Sequence, residues 1–197
     1  MVSTFYHELG RASSQVTKTN VFIRKSVRDL EPADEGHVLV YWKPSVGPEM
    51  LENLRKCPYP VKVFGTTEVP KGPASWYESF MFYPLDYQCF AKALAGCKAL
   101  FCASGNQLLG EACYFNKPTF TVPEPNQDEQ TVNAFYAEKM GFARRAVAGK
   151  YGRETVMDFL HNFKATEQKR VNGVTEAAEV IRSFAKRRGF RDDSVLQ

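Results

Sequence analysis

Apolar and polar residues alternate along this chain in short blocks whose period changes from block to block. Five apolar runs rich in β-branched and aromatic residues read as strands: His37 to Trp42, Val61 to Phe64, Phe80 to Tyr83, Leu100 to Cys102 and Thr119 to Val122. Between them the pattern turns helical. Helices are expected over Pro48 to Lys56, with proline near the first turn; over Asp86 to Ala95, opened by a capping aspartate; over Asn106 to Phe115; and over Asp128 to Met140, stopped by Gly141. Repeated strand-helix units imply right-handed crossovers, which place helices on both faces of a mainly parallel sheet. Strands buried on both sides read as continuous apolar runs, as Val38-Leu39-Val40-Tyr41 does. The expected fold class is therefore α/β, a three-layer Rossmann-like domain.

The flanks read differently. Residues 1–36 are polar and irregular around a short Val21-Phe22-Ile23 and are expected to be a linker or lead-in, with the domain over 37–190 and a tail over 191–197. The end of the domain is helical, Glu154 to Phe163 and then Val174 to Arg188, the latter with Val174, Ala177, Ala178, Ile181 and Phe184 on one stripe.

Composition narrows the classes. With 197 residues, 44% apolar and 24% charged, the chain can bury a good-sized core and is not a disordered sequence. Its longest apolar stretches, such as Ala99 to Ala103, fall far short of the roughly 20 residues of a membrane-spanning helix. The first residues lack a basic segment followed by an apolar one, so a soluble, cytoplasmic protein is expected. Five cysteines without CxxC spacing fit buried thiols in a reducing compartment, and the three histidines are not spaced with them for zinc, so no metal is expected. The net charge of +4 is modest. Its cationic cluster, Arg182, Lys186, Arg187, Arg188 and Arg191, reads as a solvated helix face, not a nucleic-acid groove, and leaves peripheral contact with an acidic membrane surface open.

In an open parallel sheet, ligands bind beyond the carboxyl ends of the strands. Four junctions lie there. At Leu100 to Ala112 a buried strand runs through Ser104-Gly105-Asn106 straight into a helix, which suits a phosphate and equally suits an ordinary cap and turn. Glu111, one and a half turns into that helix, is placed to reach a diol or to sit as an exposed helix glutamate. At Pro118 to Ala134 two prolines precede Glu129 and Gln130, which can hold sugar hydroxyls or cap a helix. Phe82 and Tyr83 before Pro84 can flank a flat base or pack in the core. Ser45, in the turn after the first strand, can meet a phosphate or cap a helix.

Taken in order, these segments resemble the C-terminal, nucleotide-sugar-binding domain of two-domain GT-B glycosyltransferases, especially the family-28-like group. The resemblance spans about residues 37–148. It rests on Ser104-Gly105-Asn106-x-x-x-Gly110-Glu111-Ala112, then Asn116-Lys117-Pro118, Val122-Pro123, Glu129-Gln130, Asn133-Ala134 and Gly141. It implies that Ser104, Gly105 and Asn106, with Ser45, hold the donor diphosphate, that Glu111 binds the ribose, that Glu129 and Gln130 hold the donor sugar, and that Phe82 and Tyr83 lie beside the base, usually uracil. Retaining members of the superfamily carry a second glutamate eight positions earlier; here that position is Ala103, so an inverting reaction is expected.

Inversion needs a base for the acceptor hydroxyl, while helix-terminus N–H groups can stabilise the departing diphosphate without a metal. In the family, the base and the acceptor site come chiefly from an N-terminal domain. The resemblance thus implies a donor-binding domain with no cofactor beyond its nucleotide-sugar substrate, completed by an acceptor domain or a partner chain. His7 is the one candidate base in the lead-in. A non-catalytic nucleotide-binding or protein-interaction module, and a fragment of a nucleotide-sugar epimerase, are the alternatives.

Overall fold

The computed structural model of the chain describes residues 2–6, 16–68 and 74–188. The chain opens with β1 (Val2–Thr4), β2 (Lys18–Asn20) and a short helix, α1 (Lys25–Arg28). There follow β3 (His37–Tyr41), α2 (Gly47–Asn53), β4 (Val61–Phe64), β5 (Phe80–Tyr83), α3 (Tyr87–Gly96), β6 (Cys97–Cys102), α4 (Asn106–Tyr114), β7 (Thr119–Thr121), α5 (Asp128–Lys139), β8 (Ala143–Arg145), α6 (Arg153–Asn162) and α7 (Val174–Arg187). Six strands form one sheet in the order β5-β4-β3-β6-β7-β8, with every pair parallel. The three-layer α/β expectation holds, and the sheet is wholly parallel.

Alternate residues of a strand face opposite sides of a sheet. Val38 and Val40 join Val61, Val63, Phe101 and Phe120 beneath Met50 and Leu51 of α2 and Val156, Phe159 and Leu160 of α6. Leu39, Leu100 and Cys102 face the other way, onto Phe90 and Leu94 of α3, Leu109 and Ala112 of α4, and Ala137 of α5. Both faces are covered, which is why the apolar runs are continuous. Phe101, Phe120 and Phe159 meet with ring centroids 5.1–5.6 Å apart, and each fully buried ring contributes about 1.5–3 kcal/mol. The helix starts follow their sequence cues: the Asp86 carboxylate accepts a 2.7 Å bond from the Cys89 amide, Pro48 occupies the first turn of α2, and Gly141 takes φ +78° after α5.

Residues 1–36 depart from expectation. Part of the described stretch packs into the core: β1 pairs in parallel with β2, and Phe5, Tyr6, Val21, Ile23 and Val27 are buried against the α4 and α5 side of the sheet. Tyr6 stacks on Tyr136 at 4.1 Å. The buried Lys117 ammonium donates to the carbonyls of Ala33 (2.6 Å) and Cys97 (2.9 Å), joining the segment to β6. The amides of Ala33 and Glu35 donate to the last carbonyls of α3. The apolar groups responsible are only two or three residues long, too short to show a period. β8 was not expected either. His7 and the tail over 191–197 lie outside the described residues.

At the other end, α7 rests on β2. Glu176 accepts from the Asn20 amide (2.9 Å) and from its side-chain Nδ2 (2.6 Å), and the Gly173 amide donates to the Val21 carbonyl (2.9 Å). Of the expected stripe, Ala177 is buried, whereas Val174, Ile181 and Phe184 are exposed. No described helix is long and apolar enough to cross a membrane.

Candidate functional site

The strand order fixes where a ligand can enter. From β3 the chain moves outward to β4 and β5, then returns to lay β6 on the other side of β3. The loops leaving β3 and β6 therefore diverge, and a crevice opens at their carboxyl ends. A cavity of about 330 Å³ occupies that place, within the usual size range of small-molecule sites. Tyr41 and Lys43 line it from the end of β3, Ala103 and Gly105 from the end of β6, and Leu85 and Tyr87 from the turn into α3. Arg24, Gln107, Glu111, Glu124 and Gln130 supply most of its polar groups.

The loop from β6 to α4 is held from below. Ser104 is fully buried, with its hydroxyl 2.8 Å from that of Thr121. Its carbonyl accepts from Asn133 Nδ2 (3.0 Å), and its amide donates to Gln130 Oε1 (3.3 Å). The same Gln130 oxygen accepts from the Glu124 amide (3.0 Å), while Gln130 Nε2 donates to the Glu124 carboxylate (3.0 Å). Gln130 thus ties the two strand-to-helix loops together. The second Glu124 oxygen accepts from the Ser45 hydroxyl, and these two bonds hold the Glu124 carboxyl below its ordinary pKa. Gly105 precedes α4 without a side-chain cap, so the first-turn N–H groups of that helix are open to an anion.

Glu111 lies on the inner face of α4 and is 1% exposed. Arg24 grips it with a two-pronged ion pair, Nε to Oε1 and Nη2 to Oε2, each 2.8 Å. Gln107 Nε2 adds a third bond, to Oε1, at 2.9 Å. The hydrogen bond to Glu111 raises the Arg24 pKa further, so this group stays cationic. Arg24 also lies over the ring of Tyr87, 5.3 Å from its centroid, and that ring is 60% exposed at the cavity mouth.

Of the residues named from the sequence, Gly105, Glu111 and Gln130 come together in the cavity wall. Ser45 reaches it only through Glu124, and Ser104 faces the core. Asn106 turns its Nδ2 to the Ser3 carbonyl (3.1 Å), leaving its Oδ1 buried without a partner. Glu129 is exposed and accepts from Asn133 (3.2 Å). Tyr83 stacks on Phe64 at 4.9 Å, and Phe82 packs beside Phe80 on the other face; neither lines the cavity. The aromatic at the mouth is Tyr87 instead. Sequence reasoning also passed over Arg24, Lys43 and Glu124. Lys43 and Glu124 each follow a strand by two or three residues, a position that could have flagged them, whereas Arg24 lies in the supposed linker and carries no local signal. Among the described residues no group of three or more His, Cys, Asp or Glu side chains is placed to hold a metal ion.

A wholly parallel sheet with helices on both faces and a cavity at its switch point defines a Rossmann-like domain. Solved glycosyltransferases bear this out. MurG of Acinetobacter baumannii superimposes with a TM-score of 0.58 at 15% identity, over 87% of this chain and 57% of that one. AviGT4, a glycosyltransferase involved in avilamycin A biosynthesis, gives 0.54 at 12% identity over 88% and 58%. LpCGTa, solved in complex with UDP, gives 0.53 at 15% identity over 89% and 43%. The chain thus spans between about two fifths and three fifths of the length of these structures. A comparison with curated proteins gives no match. The sequence model of glycosyl transferase family 1 matches residues 1–164, and the chain belongs to that family.

Proposed function

We propose that this chain is the donor-binding half of an inverting glycosyltransferase that takes a uridine-diphosphate sugar. The observation that carries the reading is the cavity at the β3/β6 switch point, where the open start of α4, the cations Lys43 and Arg24, and the carboxylate of Glu111 converge. A diphosphate fits the helix start and the cations, a ribose fits Glu111, and the exposed ring of Tyr87 offers a flat base a stacking surface. The LpCGTa structure, which holds UDP, favours this class of donor.

In the transfer, an acceptor hydroxyl gives up its proton to a base and attacks the anomeric carbon as the bond to the diphosphate oxygen breaks, inverting the centre. The diphosphate leaves with its negative charge, which the α4 N–H groups and the two cations stabilise. The acceptor site and the base belong to a second half, another domain or a partner chain. The exposed face of α7, with Val174, Ile181 and Phe184 beside a basic end, is where that half docks, and the basic end is the part that meets an anionic membrane surface.

Calorimetric titration of the purified chain with uridine diphosphate and a panel of its sugars tests the reading. Binding with one sugar preferred is the expected result. Binding of none of them overturns it in favour of a non-catalytic interaction module.

A further inference from the structure

The Glu111 carboxylate, assigned above to the ribose, is already occupied. A carboxylate offers about four acceptor positions. Arg24 Nε and Gln107 Nε2 take both on Oε1, and Arg24 Nη2 takes one on Oε2. A vicinal diol gripping both oxygens finds one position open on Oε2 but needs Arg24 or Gln107 to give way on Oε1, and Gln107 Nε2 is also held by the Phe22 carbonyl (2.8 Å). Removing Arg24 without replacement would strand a carboxylate that is 1% exposed, which a folded protein resists.

We propose that Arg24 is a donor-site residue that exchanges partners: it neutralises Glu111 in the ligand-free protein and turns onto the diphosphate when a nucleoside diphosphate enters, as the ribose hydroxyls replace it on the carboxylate. The proposal rests on the donor-site reading. Three observations carry it. Arg24 is 38% exposed and borders the same cavity as Gly105 and Lys43, so its guanidinium can turn without leaving the site. The planar fork that now grips a carboxylate matches phosphate oxygens equally well. The residues on either side of Arg24 are anchored, with Ile23 N donating to Asn172 Oδ1 (3.0 Å) and the Val27 and Arg28 amides donating to the Arg24 carbonyl (3.0 Å each), so the exchange is confined to the side chain.

The consequence is that ribose and diphosphate are recognised together. A nucleoside alone must displace Arg24 while offering it no new partner; a nucleoside diphosphate offers one. Removing Arg24 should therefore weaken uridine diphosphate without weakening uridine.

The experiment compares dissociation constants of uridine and uridine diphosphate for the unaltered chain, Arg24→Met and Arg24→Lys, with thermal melting as a check on folding. The unaltered chain is expected to bind uridine diphosphate far more tightly than uridine. Arg24→Met should weaken uridine diphosphate by about tenfold or more, the size of a charged hydrogen bond, while uridine is unchanged or tightens. If Arg24→Met does not fold, Arg24→Lys, which keeps the charge and loses the fork, should shift the two ligands apart in the same sense. Equal losses for both ligands, or unaltered uridine diphosphate affinity, overturn the exchange while leaving the donor site standing. Failure of the unaltered chain to bind either ligand overturns the donor-site reading itself, and the exchange with it.

Discussion

Gly110 sits on α4 directly beneath Val21, and a Cβ built on it would lie 2.6 and 2.7 Å from the two γ carbons of that valine and 3.0 Å from its β carbon. Gly110→Ala therefore sets two effects against each other. Alanine inside a helix is favoured over glycine by about 1 kcal/mol. Overpacking a filled core costs about 1–3 kcal/mol. Rotating Val21 gives little relief, because both γ carbons and the β carbon are close together. The backbone cannot yield readily, since Gly173 N holds the Val21 carbonyl and Glu176 holds Asn20. The clash should win, with Gly110→Ala destabilising by about 1–2 kcal/mol.

Val21→Ala removes the two γ carbons and alone should cost about 2 kcal/mol, from two buried methyl groups and the small void they leave. In that background Gly110→Ala loses its main clash and keeps its helical advantage, so it should be neutral or stabilising by up to about 1 kcal/mol. The double-mutant cycle thus carries a coupling of about 2 kcal/mol, measurable from urea unfolding of the four proteins followed by circular dichroism. An equal cost for Gly110→Ala in both backgrounds would refute the packing of residues 18–24 onto α4. So would stabilisation of the unaltered chain by Gly110→Ala, the result for a glycine beneath a loose linker.

Two further predictions concern pH and the loop bracket. His37 is 3% exposed, its Nε2–H donates to the Ala93 carbonyl, and burial holds its pKa below the ordinary 6.5. The unfolded chain takes up a proton at this histidine before the folded one does, so stability is intact above 6.5 and falls as pH drops through it towards the folded value; urea midpoints for the chain and His37→Gln between neutral and mildly acid pH should show the slope reduced in the variant, and an unchanged slope removes His37 as its source. Gln130→Ala breaks the three bonds that join the Ser104 and Glu124 loops and should weaken uridine diphosphate and its sugars alike, by about tenfold, whereas Glu129→Ala, at an exposed side chain outside the cavity wall, should spare the plain nucleotide. Calorimetry separates the two, and a sugar-only loss for Gln130→Ala contradicts its bracing role.

What the sequence made legible tracks how each element is buried. Strands covered on both faces must be apolar throughout, so β3, β4 and the end of β6 stood out. β8 did not, because it is an edge strand of sequence Ala-Arg-Arg. The guanidinium of Arg144 lies 5.7–5.9 Å from the rings of Phe159 and Phe163, and that of Arg145 6.0 Å from the ring of Phe135, so the positions read as charged. Capping by Asp86 is a local interaction and was readable; the Arg24–Glu111 pair joins positions 87 apart and was not.

The ordered motif that carried the family resemblance divides in the same way. Ser104 and Asn133 fasten a loop, Gly110 admits a valine, and only Gly105, Glu111 and Gln130 reach the cavity. A motif in sequence order thus mixes groups that touch a ligand with groups that hold those in place, and spacing alone does not separate them. Composition misleads most where function and packing share a segment. Residues 18–28 are polar enough to read as a linker, yet Val21 fills the space beside Gly110, Ile23 is fixed to the turn before α7, and Arg24, between these anchors and α1, closes the cavity floor on Glu111. Because α7 holds this segment through Asn20 and Val21, a partner docking on the exposed face of α7 would bear on the segment whose Arg24 pairs with Glu111. The surface proposed for the acceptor half and the group proposed to sense the donor are therefore two ends of one short, anchored stretch of chain.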